Sequence, residues 1–197
     1  MEFNLKNKKP DIRYLHEMIS VLYDQKWAKQ ADLNQPLYYM YRGIKRKDDL
    51  RYDVTVIPPF LLGKEFVKTK GHYHQGNYQE VYQVLSGKAI YLFQKEKDGY
   101  LKDVIVIHAR AGDIVIIPVQ YGHITINPSK TKTLMMANWV SEKCQNNYKL
   151  MEKTGGGGYF YTQNGWVKNK NYKEVPEIHF KEPQENMPSN LNFLKIG

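Results

Sequence analysis

Thr69-Lys70-Gly71-His72-Tyr73-His74 sets two histidines one residue apart, and Glu80 and Gly87 follow shortly after. Side chains on a strand alternate between faces, so His72 and His74 share one. The short segment 75–79 is expected to return Glu80 to their side on the neighbouring strand. Imidazole, imidazole and carboxylate together suit a divalent first-row metal. A fourth candidate ligand comes later, His123 in Pro118-Val119-Gln120-Tyr121-Gly122-His123-Ile124-Thr125-Ile126-Asn127.

A lone strand histidine is more often a hydrogen-bonded structural residue than a ligand. The spacing argues otherwise here. Glu80, Tyr82 and Val84 would share a face of the next strand, and His123, Thr125 and Asn127 a face of a third. Burying three imidazoles and a carboxylate without a cation or a dense hydrogen-bond network is costly.

Outward from this motif the chain reads as short strands. Runs at 37–42, 52–57, 81–85, 88–94, 100–109, 114–118, 123–127 and 133–140 are separated by turn residues, including Ser86-Gly87, Asp98-Gly99 and Asn127-Pro128-Ser129, with a charged loop after the first. No helical pattern interrupts them, which excludes a parallel α/β fold and predicts an antiparallel sandwich or barrel. Ile12, Leu15, Ile19 and Leu22 recur at helical spacing, so a helix is expected over 12–28 with Asp11 as its N-cap. Gly155–Gly158 have linker composition, and Tyr159–Thr162, Asn164-Gly165 and Trp166-Val167 form a hairpin signature expected to extend the main sheet. The stretch from Pro176 is polar and aperiodic, suited to the surface or to a second subunit. The expected layout is therefore a helical extension (1–35), an all-β barrel (36–170) and a C-terminal extension (171–197).

At 197 residues the chain can bury one core. Its net charge of +9 is spread over scattered lysines, with small clusters at Lys6–Lys9, Lys45–Lys47 and Lys168–Lys173. That distribution argues for a solvated basic surface rather than a nucleic-acid arm, and it would favour a phosphorylated metabolite. The start of the chain leads into no apolar core of a secretory signal, no run approaches a membrane span, and one cysteine, Cys144, makes no internal disulfide. A cytoplasmic protein with neither nucleic-acid nor membrane partners is expected.

His72, His74, Glu80 and Gly87, then Gly112, Pro118, His123 and Asn127, resemble the two motifs of the cupin family. The leading glycine of the first motif is absent, and Gln120 replaces a glycine of the second. The resemblance implies a double-stranded β-helix, or jelly roll, holding a metal inside; it says little about the reaction. Over about residues 36 to 170 the chain looks like a narrower group, the cupin-type glucose-6-phosphate isomerases of archaea and some bacteria. The matching runs are Gly63-Lys64-Glu65-Phe66, Thr69 to His74, Glu80-Val81-Tyr82, Leu85-Ser86-Gly87-Lys88, Gln94 and His123 to Asn127.

That resemblance implies metal ligands at His72, His74, Glu80 and His123, and a sugar-phosphate pocket formed by Tyr38, Thr55, Thr69, Gly71, Tyr82 and Tyr148. It implies iron or manganese as the metal, Fe(II) first, where the ligand chemistry alone also admits Ni(II) and Zn(II). It further implies a homodimer and a place in glycolysis and gluconeogenesis. The family often has a histidine two positions before the tyrosine matching Tyr148; here it is Asn146, which hydrogen-bonds but does not titrate.

Aldose–ketose isomerisation moves hydrogen between C2 and C1. A metal gripping both oxygens serves either an enediolate or a direct hydride shift. The enediolate route needs a base, for which Glu80 is the first choice and Tyr148 a second proton carrier. Thr55, Thr69 and Tyr38 can donate hydroxyls to the phosphate, Gly71 a backbone N–H and Lys70 a charge. Thr69 faces away from His72 on a regular strand, so a bulge at Gly71 is required. Two other readings use the same residues: a cupin oxygenase or decarboxylase, and a sugar-phosphate-binding cupin without turnover.

Overall fold

The computed structural model describes residue 5 and residues 7–197. What was read from residues 1–4 and 6, including the first lysine of Lys6–Lys9, lies outside the described residues. Sixteen strands are seen among the described residues: β1 Asp11–Tyr14, β2 Pro36–Lys47, β3 Leu50–Ile57, β4 Leu61–Leu62, β5 Glu65–Phe66, β6 Tyr73–His74, β7 Glu80–Ser86 and β8 Lys88–Lys97 in the first half. The second half contains β9 Tyr100–Arg110, β10 Ile114–Ile117, β11 Tyr121–Ile126, β12 Leu134–Ser141, β13 Asn146–Asn147, β14 Tyr159–Thr162, β15 Gly165–Lys168 and β16 His179–Lys181. The α-helices are single short turns, α1 Gln25–Ala28 and α2 Lys149–Lys153.

One sheet runs β1-β2-β3-β12-β7-β10 and the other β11-β8-β9-β16. A bridge between His72 and His123 sets the segment before β6 beside β11. The order β3-β12-β7-β10 thus faces the 69–74 segment, β11, β8 and β9, which is the Greek-key order of a jelly roll, as expected. The sheets do not close into a hydrogen-bonded barrel. Their inner faces meet through Tyr82 and Tyr91, whose ring centroids are 5.5 Å apart, and through a core containing Leu37, Ile57, Leu92 and Leu134.

The turns follow the residues. Asp98-Gly99 closes β8 to β9 with both residues left-handed (φ 56° and 80°). The charged loop after β2 is shorter than expected. β2 continues through a bulge to Lys47, and Asp48 and Asp49, at φ 50° and 65°, turn the chain straight into β3. Gln120, standing where the second cupin motif has a glycine, has φ 65°.

Three expectations are corrected. Residues 12–28 do not form a helix. Asp11–Tyr14 pair with β2, and the amides of Leu15 and His16 donate to Gln35 and Leu33 rather than within a helix. Two 3-10 turns and α1 follow, and α1 is capped by Asp24, which accepts from the Trp27 amide at 3.1 Å, not by Asp11. A marginal helix loses to strand pairing that buries the same Leu15 and Leu22. Second, the β14–β15 hairpin joins β4 and β5 in a separate sheet.

Third, Gly155–Gly158 are not a linker. A Cβ at Gly157 would lie 2.8 Å from Ile124, and one at Gly158 2.6 Å from Leu101, so these glycines permit close packing against the inner sheet. The tail, for which the surface and a second subunit both stood open, lies along the surface of its own chain. β16 pairs parallel with β9, Gln184 exchanges backbone hydrogen bonds with Ile114, and Leu194 is buried with Leu50, Val81 and Ile114 on the outer face of the larger sheet. Among the described residues no helix is long and apolar enough to cross a membrane.

Candidate metal centre

The His72–His123 bridge consists of two backbone hydrogen bonds, His123 N to His72 O at 3.0 Å and His72 N to His123 O at 3.3 Å. Earlier in the same pairing Lys68 stands opposite Ile126, so one extra residue enters before His72. Gly71, at φ 80°, absorbs it. The bulge turns both Thr69 and His72 into one cavity, which a regular strand would not do. Glu80 reaches that cavity from elsewhere than expected. It opens β7 in the facing sheet, whereas the hydrogen-bonded neighbours of the His72–His74 segment are β11 and β13.

One ligand atom from each of His72, His74, Glu80 and His123 lies within 4.8 Å of all the others. Glu80 Oε2 is 3.3 Å from both His74 Nε2 and His123 Nε2. Donors at about 2.1 Å from one ion, at right angles, stand about 3 Å apart, so this spacing fits a shared cation. His74 Nε2, His123 Nε2 and Glu80 Oε2 are buried without a hydrogen-bond partner. Such atoms are costly to leave unpaired, and a metal would pair them. The outer contacts favour the same reading. His74 Nδ1 lies 2.9 Å from Tyr78 O, which makes Nδ1–H the donor and turns the Nε2 lone pair inward. Asn138 Nδ2 donates to Glu80 Oε1 at 2.5 Å.

Protonation in the metal-free site follows from these contacts. Burial, then the neighbouring His123, pushes His72 well below the ordinary imidazole value, and burial lowers His123 too. Burial opposes charge on Glu80, but the imidazoles of His123 and His74 beside it outweigh burial and hold the carboxylate well below its usual range. His74 moves the other way: the neighbouring Cys144 and Glu80 overcome burial and raise it to about 10.

Every residue expected in the sugar-phosphate pocket, Tyr38, Thr55, Thr69, Gly71, Tyr82 and Tyr148, lines the cavity with His72, Glu80 and His123. Tyr148 is packed 5.4 Å from the His72 ring, between Arg13 and Lys70 at 5.6 Å each, and accepts from Asn146 Nδ2 at 3.3 Å. Lys70, considered for the phosphate, is instead paired with Glu152 at 2.6 Å and is not part of the lining. Sequence reading missed Arg42, Arg51 and Asn138, which also line the cavity. The alternation Arg51, Asp53, Thr55 carried the signal, because Thr55 had been placed inward and its strand neighbours at two-residue spacing share its face. Arg42 and Arg51 each hold Asp53 Oδ2 at 3.0 Å. Arg42 also faces the exposed carboxylate of Asp11 at 3.4 Å, so the two guanidinium groups are fixed at the wall by acidic partners and offer it N–H donors.

The sequence model of the family described as glucose-6-phosphate isomerase (GPI) matches residues 16–177. The glucose-6-phosphate isomerase of Thermococcus litoralis is 29% identical over 168 residues, covering 83% of this chain and 86% of that one. That of Pyrococcus furiosus is 27% identical over 169 residues, covering 83% and 87%. Among solved structures, the capsular polysaccharide assembling protein CapF from Staphylococcus aureus aligns over 51% of this chain and 25% of its own, at 24% identity and a TM-score of 0.41. With the family match spanning most of its length, the chain belongs to the glucose-6-phosphate isomerase (GPI) family.

Proposed function

We propose that this chain is a metal-dependent aldose–ketose isomerase interconverting glucose 6-phosphate and fructose 6-phosphate. The observation that carries the reading is the convergence of His72, His74, Glu80 and His123, with inward atoms left unpaired, in a cavity also lined by hydroxyls and guanidinium groups. These four residues would hold one divalent ion, with Fe(II) our first choice and Mn(II), Ni(II) or Zn(II) as alternatives. When bound, the ion would polarise the sugar carbonyl and steady the charge on the two adjacent oxygens.

The chain's own groups would do the rest. Glu80 is the base: its low pKa keeps it ionised, and Oε2 faces the cavity side of the cluster. It would take the proton from C2 of the aldose and return it to C1, giving the ketose. Tyr148 Oη would carry the hydroxyl proton from O2 to O1, its ring held by His72, Arg13 and Lys70. Burial and the charge of Glu80 keep Tyr82 well above the ordinary phenol value, so it stays a neutral donor and does not compete as a base. Thr55, Thr69 and Tyr38 offer hydrogen bonds to the phosphate end, and the bulge at Gly71 exposes backbone there.

Anaerobic conversion of fructose 6-phosphate to glucose 6-phosphate, with and without a chelator, tests this. Turnover that stops on chelation and returns with added metal is expected. A requirement for dioxygen, or release of carbon dioxide, would identify an oxygenase or decarboxylase instead, and binding without turnover a sugar-phosphate receptor.

A further inference from the structure

We infer that Asn138 is a positioning residue that restricts Glu80 to a single metal-binding oxygen and so sets how many places on the ion remain for substrate. The inference rests on the metal-dependent reading above.

Asn138 sits on β12 with its Cα opposite Tyr82, two residues from the pairing of Val140 with Glu80 and so on the same face. Its side chain is buried and enters the same cavity as Glu80. The amide can only present Nδ2 to a carboxylate, since Oδ1 would set two acceptors against each other. Glu80 Oε1 is thereby held at 2.5 Å, while Oε2 alone faces His74 and His123, 3.3 Å from each. The two oxygens of one carboxylate are thus divided: one tied to protein, one toward the cluster.

The consequence is arithmetic. Three imidazole nitrogens and one carboxylate oxygen fill four places, and a six-coordinate ion keeps two, the number a sugar's adjacent oxygens require. A carboxylate free to chelate would fill a fifth. It would also be harder to displace, and Glu80 must let go of the ion to act as a base. Asn138 therefore serves both the vacancy and the release.

The test uses Asn138→Leu, which keeps the shape and removes the donor, loaded with one Mn(II) per chain and read by water-proton relaxation. In the parent, two exchangeable waters are expected; in the variant one, so relaxivity per bound ion falls by about half, and kcat falls about 10–100-fold, as for lost ligand-supporting contacts. A merely structural role would not change the number of waters. Should the leucine variant not fold, Asn138→Ala provides the same readout with room left for Oε1 to turn. Unchanged relaxivity in a folded, Mn(II)-loaded variant overturns the role of Asn138 and leaves the isomerase reading standing. A parent chain that binds no Mn(II) overturns both.

Discussion

His72 and His123 pair across one antiparallel bridge that is a residue out of step with the Lys68–Ile126 pairing before it. The offset is what lets a strand offer Thr69 and His72 to the same cavity, and it is stored in Gly71 at φ 80°. Any Cβ at that position would lie 2.5 Å from Ile124 Cγ1. Gly71→Ala is therefore expected to lose about 1–3 kcal/mol, from the left-handed penalty and the contact together. Urea unfolding of the metal-free protein measures it; a loss below the error of the fit would mean that the bulge tolerates a side chain.

The turnover role of Glu80 separates from its binding role by substitution. Glu80→Gln keeps the shape and the capacity to accept from Asn138 but removes the base. Isomerase activity should fall by more than about a thousandfold, general-base catalysis together with metal support being lost. Activity close to that of the parent would exclude Glu80 as the base.

Much of this centre was legible before any coordinates. His72, His74, Glu80 and His123 are spaced so that a jelly roll brings them together; period-two alternation set Tyr82 on the face of Glu80, while Thr55 entered the pocket only through the family resemblance. What could not be read was which sheet each strand joins. Glu80 was assigned to the wrong neighbour because a five-residue connection looks the same whether it makes a hairpin or crosses between sheets. The N-terminal segment misled for a related reason: Ile12, Leu15, Ile19 and Leu22 satisfy helical spacing, yet the partner that captured the backbone, β2, lies far along the chain. Lys70 appeared free beside its motif, and only the fold brings Glu152 to it.

Arg42 and Arg51 give a prediction about substrate charge. Both hold Asp53, and Arg42 also faces Asp11 at 3.4 Å, so the pair presents fixed guanidinium donors at the cavity wall. Arg51→Met should raise KM for fructose 6-phosphate about 10–100-fold, the worth of one charged hydrogen bond, with a smaller change in kcat. Steady-state kinetics at fixed metal decide it. An unchanged KM would place the phosphate away from this wall.

Metal uptake should release a proton. In the metal-free site the neighbouring Cys144 and Glu80 overcome burial and raise His74 to about 10, so it carries a proton at neutral pH that a metal must displace. Apparent affinity therefore rises with pH up to that value, and calorimetry in buffers of different ionisation heat counts the proton. The metal-free stability has the complementary profile. The raised His74 contributes fully below the ordinary imidazole value of 6.5 and loses that contribution as pH climbs through about 10. The depressed Glu80 contributes above the ordinary carboxyl value of 4.5 and loses it in acid. Chelated protein should thus gain most from this pair between those two values, and metal should move the melting optimum toward higher pH. Uptake without proton release would contradict the charged His74.

Gln120 lies at φ 65° where the second motif of the resembling cupins has a glycine, just before the strand that carries His123. A left-handed conformation costs an L-residue about 1–2 kcal/mol relative to glycine, against which glycine's greater unfolded freedom returns about 0.5–1 kcal/mol. Its side chain adds only a long, exposed contact with Asn77 at 3.5 Å. Gln120→Gly is therefore expected to stabilise the fold by about 0.5–1 kcal/mol while leaving metal content unchanged, since His123 is held by its bridge to His72 and not by the turn. Thermal melting of parent and variant under the same metal loading is the measurement. A lower melting temperature would show that the glutamine anchors the turn through its side chain, and a lower metal content would show that the turn, rather than the bridge, aims His123.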